Sequence, residues 1–146
     1  MDRRELLGYV GIGAAGLLAA GPTGAIAGEK DEGQAHEHIK TIGLCALACN
    51  EAAHHCLEHL KNDNAEHREH HAKAHELAMD CQAFCTLAAV LTARCSPLAC
   101  HAHKACAEAC RCCAEECEKG HGEIMENCAK KCRECAEVCR KMGKTA

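Results

Sequence analysis

The sequence predicts an all-α protein, an antiparallel up-down-up-down four-helix bundle with a cysteine-lined interior, and three observations predict it. Cysteine recurs at three- and four-residue spacings, the period of one helix face, and no alternating strand pattern competes with it. Breakers are few, and they leave four long stretches rich in Ala, Glu, Lys, Leu and Cys. The connections between those stretches are short, which makes consecutive helices antiparallel neighbours.

Residues 1–27 read as a leader outside the fold. Asp2-Arg3-Arg4-Glu5-Leu6-Leu7 resembles a twin-arginine export signal, and Ala25-Ile26-Ala27 fits a small-x-small cleavage pattern. The intervening stretch, with Gly8, Gly11, Gly13, Gly16, Gly21 and Pro22, is a weak membrane span. The expectation is an exported, periplasmic protein starting at Gly28, without membrane attachment after cleavage. That route carries folded proteins, so a thiol-rich chain can fold in the reducing cytosol before it meets an oxidising compartment.

The mature domain, 28–146, divides in order. A helix near 34–61 carries Cys45, Cys49 and Cys56, with Ala52 completing the stripe. Asn62-Asp63-Asn64 is a turn and cap cluster. A helix near 65–95 aligns Cys81, Cys85, Ala88, Thr92 and Cys95, prolonged backward through Ala74, His70 and His67. Ser96-Pro97 supplies an N-cap and a first-turn proline for a helix near 97–119. That helix presents Cys106, Cys110, Cys113 and Cys117, with His103 on the edge of the stripe. Gly120-His121-Gly122 stops it and restarts a helix near 123–142. There Cys128, Cys132, Cys135 and Cys139 keep a 4-3-4 rhythm that Met125 and Met142 extend, and Gly143 ends it. Fourteen cysteines therefore aim at the axis. Cys100 and Cys112 fall off the stripe, as rim ligands or near-surface thiols.

Composition narrows the function. With sixteen Cys, one Tyr, one Phe and no Trp, the apolar core is thin, and bound metal can supply stability. A net charge of -4 with no basic face argues against nucleic acid. No Ser/His/Asp set, paired-carboxylate cleft or phosphate loop points to an enzyme. Glu115, Glu116, Glu118, Lys130, Lys131, Arg133 and Glu134 read as the solvated face.

Thiols at i and i+4 have Cβ atoms about 6 Å apart, too far for a disulfide, which needs about 3.8 Å. Pairs such as Cys45/Cys49 and Cys106/Cys110 cannot close within their helix, although links between helices remain open. No Cys-x-x-Cys-His is present, and the clustered spacing of ferredoxins is missing. Thiolate with imidazole and thioether selects Cu(I), with Zn(II) next. If each ion takes two thiolates and each thiolate bridges two ions, on the order of 14–16 Cu(I) fit. A Zn- or Cd-sequestering protein and a disulfide-stapled scaffold are the alternatives.

Twelve histidines are the second anomaly. His59, His67, His70, His121 and Met125 aim at the axis where helices 1 and 3 finish and helices 2 and 4 start, forming a mouth. His55 and His71 lie on its flanks, and His54 and His75 point outward. His38, His103 and Met142 offer a second mouth at the opposite end. The candidate ligands are thus all sixteen cysteines together with His59, His67, His70, His121 and Met125.

Leader, bundle and repeated inward Cys-x-x-x-Cys pairs (Cys45/Cys49, Cys81/Cys85, Cys106/Cys110, Cys113/Cys117, Cys128/Cys132, Cys135/Cys139) resemble the bacterial copper storage proteins, specifically their exported branch. The resemblance implies many Cu(I) ions on interior thiolates, admission through His and Met at one mouth, and a homotetramer of bundles. A copper-requiring enzyme or chaperone is the partner such a store would serve.

Overall fold

Four helices account for the chain in the structure, a computed structural model that describes residues 27–62 and 67–144. They are α1 (Ala27–Asn62), α2 (Arg68–Ala93), α3 (Ala99–Cys117) and α4 (Glu123–Met142). The expected leader, except for Ala27, and the Asp63-Asn64 part of the first turn lie outside the described residues. α1 begins earlier than the expected start near 34. No proline interrupts 27–33. At 36 residues α1 is about 54 Å long, the longest of the four.

The helices pack in a ring. α1 lies against α2 and α4, and α3 lies against the same two, while the diagonal pairs do not meet through their backbones among the described residues. That arrangement leaves an axial column to be filled by side chains.

Local chemistry sets the ends. α4 starts with Glu123 and Glu126 in its first turn and finishes with Arg140 and Lys141 in its last, each sign opposing the helix dipole. Its N-cap, Gly122, has φ 103° and ψ 156°, a conformation that essentially only glycine adopts without strain. At the α2–α3 corner, Cys95 N–H bonds to Thr92 O at 2.9 Å and Ser96 N–H to Leu91 O at 2.9 Å. This is the Schellman closure, with Cys95 in the left-handed position at φ 50°. Ser96 Oγ then accepts from Leu98 N–H at 3.2 Å, so its capping role falls in a turn just ahead of α3.

The interior inverts the usual pattern. Apart from Ile42 and Met125, the buried hydrophobic positions are cysteine and alanine, while Leu44, Leu47, Phe84, Leu87, Val90 and Leu98 face outward. α2 is long and apolar enough, by length and composition, to cross a membrane. In the bundle its Cys81 and Cys85 point inward, and Met79, Phe84, Leu87 and Val90 make up its outer side.

Candidate metal centre

Thirteen cysteines are buried: Cys45, Cys49, Cys56, Cys81, Cys85, Cys106, Cys110, Cys113, Cys117, Cys128, Cys132, Cys135 and Cys139. All sixteen cysteines are free thiols. Expected as the fourteenth inward thiol, Cys95 is exposed. A wheel extended to residue 95 assumes a helix that in fact stops at Ala93, because the residue before Pro97 disfavours helical backbone and the chain closes on itself there. Cys100 and Cys112 are partly exposed. The Cys112 thiol lies on the outside beside Glu108 and Arg111.

The buried thiols meet across the ring. Cys81 Sγ is 3.5 Å from Cys110 Sγ and Cys45 Sγ is 3.7 Å from Cys132 Sγ, each pair joining neighbouring helices. Cys45–Cys110 and Cys81–Cys132, both at 3.9 Å, bridge the two diagonals that the backbones leave apart. For metal–sulfur bonds of about 2.3 Å, a tetrahedral set of sulfurs would stand about 3.8 Å apart. The column is therefore spaced for metal.

Four quartets have their sulfurs within 4.8 Å of one another. In axial order they are Cys85/Cys106/Cys110/Cys135, Cys45/Cys81/Cys85/Cys110, Cys45/Cys49/Cys81/Cys132 and Cys49/Cys113/Cys128/Cys132. Each consecutive pair shares two sulfurs: Cys85 and Cys110, then Cys45 and Cys81, then Cys49 and Cys132. Beyond the last quartet, Cys117 Sγ lies 3.9 Å from Cys113 Sγ, and the Cys56 thiol donates to Met125 Sδ at 3.9 Å. Beyond the first, Cys139 Sγ is 3.9 Å from Cys135 Sγ.

The thiols do not ionise alike. Neighbouring S–H donors hold Cys45, Cys81, Cys106 and Cys128 below the usual thiol range. Cys49, Cys110 and Cys117 are pushed up by the thiols around them, with burial adding to the effect. Cys56, next to the thioether, is raised to about 11 by burial first and then by Cys128 and Cys113. Thiols packed this closely do not lose their protons together, and metal that binds their thiolates must displace protons.

The mouth gathers more imidazoles than the wheel assigns to it. A cavity of about 700 Å³ is lined by His55, His59, His67, His70, His71 and His121 together with Glu69, Lys73, Glu116, Lys119 and Gly120. His55 and His71, expected on the flanks, belong to the cluster: the His59 and His71 rings stack with centroids 4.5 Å apart, and His55 meets His59 edge-on at 4.4 Å. His67 and His121, expected on the axis, are exposed on the outer rim, because His67 precedes α2 and His121 sits in the Gly-flanked turn rather than on a helix. His75 is taken up by structure, its Nδ1–H donating to Ala53 O at 2.8 Å.

Glu116 corrects a further expectation. Read as solvated, it is 5% exposed, because α2 and the end of α3 close over it. Burial alone would raise its carboxyl. Hydrogen bonds from Lys119 (2.7 Å) and His70 (3.0 Å), with Lys73 at 3.6 Å, hold it below the usual range. The ionised carboxylate makes His70 Nδ1 the donor and leaves the buried Nε2 of that ring without a hydrogen-bond partner in the protein. A Cβ at Gly120 would stand 2.9 Å from His70 Nε2 and 3.3 Å from Met125 Cε, so a side chain there would make those two shift.

At the opposite end His103 is 1% exposed, too deep to line a rim. Its position three residues before Cys106 continues the 3-4 stripe of α3, which is the signal that marks it from sequence.

Comparison with known proteins places these features. The family model described as copper storage protein matches residues 31–144. The Cu(I)-bound copper storage protein BsCsp3 superposes with a TM-score of 0.65 at 29% identity, covering 75% of this chain and 98% of that one. Apo copper storage protein 3 from Bacillus subtilis gives a TM-score of 0.63 at 32% identity, covering 73% and 95%. A Nitrosospira multiformis protein gives 0.51 at 33% identity, covering 73% and 98%. Comparison with curated protein sequences gave no match.

Proposed function

The chain belongs to the copper storage protein family, and from that premise we propose that it stores many Cu(I) ions as cargo on the thiolates of its axial column. One observation carries the reading: four thiol quartets, each sharing two sulfurs with the next, run through the bundle. Sulfurs shared in this way suit bridging Cu(I), the ion that soft thiolates select ahead of Zn(II). The family is one of storage proteins, and no catalytic role is assigned to this chain.

With thirteen buried thiols, the bridging premise gives about thirteen ions, one fewer than the lower sequence count because Cys95 faces solvent. Titrating the reduced protein with Cu(I) against a strong chelator tests this. Saturation near thirteen tight equivalents supports storage; saturation at one or two, or preferential loading by Zn(II), overturns it.

The ligand set we assign is the thirteen buried cysteines, with the histidine cavity and Met125 as the mouth that admits metal. Cys95, Cys100 and Cys112 stand apart from the column. Arg3-Arg4 and Ala25-Ile26-Ala27 support export to the periplasm by the twin-arginine route, which N-terminal sequencing of the protein from a periplasmic fraction checks. The outward Leu44, Leu47, Phe84, Leu87 and Val90 favour a homo-oligomer, a tetramer by family resemblance, which sedimentation equilibrium measures. Delivery of the stored copper to a copper-requiring enzyme or chaperone completes the proposal.

A further inference from the structure

His103 sits at the end of the column opposite the histidine cavity, among the side chains of three helices. Its Nε2 is 2.8 Å from Thr92 Oγ1 on α2, and its Nδ1 is 3.5 Å from Cys139 Sγ on α4. The Thr92 hydroxyl has one proton, and it donates that proton to Ala88 O at 2.8 Å. Thr92 Oγ1 can therefore only accept from the ring, which puts the imidazole proton on Nε2. The lone pair is left on Nδ1, aimed at the sulfur of Cys139.

With Nε2 donating to Thr92 and Nδ1 facing the Cys139 thiol as acceptor, the ring carries one proton and is neutral. A neutral imidazole whose tautomer is fixed by a hydroxyl on its far nitrogen is the arrangement that metal-binding histidines adopt. The sulfurs also need it. The first quartet ends at Cys106 and Cys135, and Cys139, 3.9 Å beyond Cys135, is the last thiol of the column.

We propose that His103 Nδ1 is a copper ligand that, with Cys139 Sγ, closes the end of the column opposite the histidine mouth. On loading, Cu(I) replaces the thiol proton of Cys139, which leaves to solvent, and Nδ1 donates its lone pair without losing a proton. Thr92 acts through His103 as a positioning residue. The assignment rests on the storage reading and adds a nitrogen-terminated site to it.

The test uses the full chain, reduced and metal-free, labelled with 15N in histidine and titrated with Cu(I). Long-range 1H–15N spectra are followed, and H103Q identifies the His103 signals by their loss. The expected metal-free state is the Nε2–H tautomer. At saturation its Nδ1 resonance shifts while Nε2 stays protonated. An Nδ1 resonance that does not move while thiolate–Cu(I) absorption grows overturns the assignment and leaves storage standing. Absence of that absorption overturns storage, and the assignment with it. In H103Q, whose amide can still bond to Thr92, one fewer tight equivalent is expected. An unchanged count with unchanged affinity of the last equivalent overturns the proposal.

Discussion

Glu116 Oε1 accepts a hydrogen bond from His70 Nδ1 at 3.0 Å, joining α3 to α2 at the mouth of the thiol column. The other nitrogen of His70 is buried without a hydrogen-bond partner in the protein, against Gly120. A carboxylate behind an imidazole sets both its tautomer and its basicity, and losing such a partner costs about 10–100-fold in metal affinity or rate. E116Q should therefore slow Cu(I) uptake about tenfold and leave the final count unchanged. Stopped-flow absorbance of the growing thiolate–Cu(I) band, set beside an equilibrium titration, checks both parts.

Cys49 belongs to two quartets, and Cys56 to none. C49A should remove about two ions and C56A at most one, if ions follow the shared sulfurs. Each leaves a small void costing about 1 kcal/mol in the metal-free protein. Cu(I) counting with urea unfolding separates the two effects.

Three thiols reach solvent, and thirteen do not. Under native metal-free conditions a thiol reagent should label Cys95, Cys100 and Cys112 first, and the rest only with unfolding. The triple variant C95A/C100A/C112A should keep the full copper count. Mass spectrometry of the labelled peptides and a Cu(I) titration give the two readouts.

Gly122 opens α4 at φ 103°, and a methyl group added there would meet nothing within 4 Å, so backbone strain alone decides the effect of filling the position. G122A should cost about 1–3 kcal/mol of stability with the copper count unchanged. Denaturant unfolding of the metal-free protein measures it.

Stability should also fall with acid. His55 and His103 are lowered by burial, and repulsion from His59 lowers His55 further. The unfolded chain then binds more protons near pH 6.5, so stability rises with pH through that region and is lost as pH drops below it. Glu116 is lowered as well, so its contribution is present above the ordinary carboxyl value of 4.5 and is lost as pH falls below that. Urea midpoints of the metal-free protein at pH 7.5, 5.5 and 4 should decline in steps, and E116Q should flatten the last.

Much of the fold and most of the column are legible in the cysteine spacing, because a 3-4 rhythm of one residue type marks a single helix face whatever the neighbours are. The wheel fails where its assumption of an isolated, continuing helix fails. Cys95 keeps the rhythm in sequence, but the closure before Pro97 has already turned the backbone. Glu116 belongs to a solvated face on α3 alone, and only α2, bringing His70 and Lys73 over it, buries it. His55 and His71 meet across two helices, a relationship that neither helix carries by itself. His103 is in view on its stripe, yet its meaning depends on which way Thr92 directs its hydroxyl proton.

The sulfurs shared between quartets bear on transport as well as capacity. An ion held by Cys49 and Cys132 already touches both neighbouring sites, so it can advance by exchanging one ligand at a time, as a climber moves with one hand always on the rope. With entry proposed at the histidine end, such exchange would fill and empty the column in single file, the first ion to arrive being the last to leave.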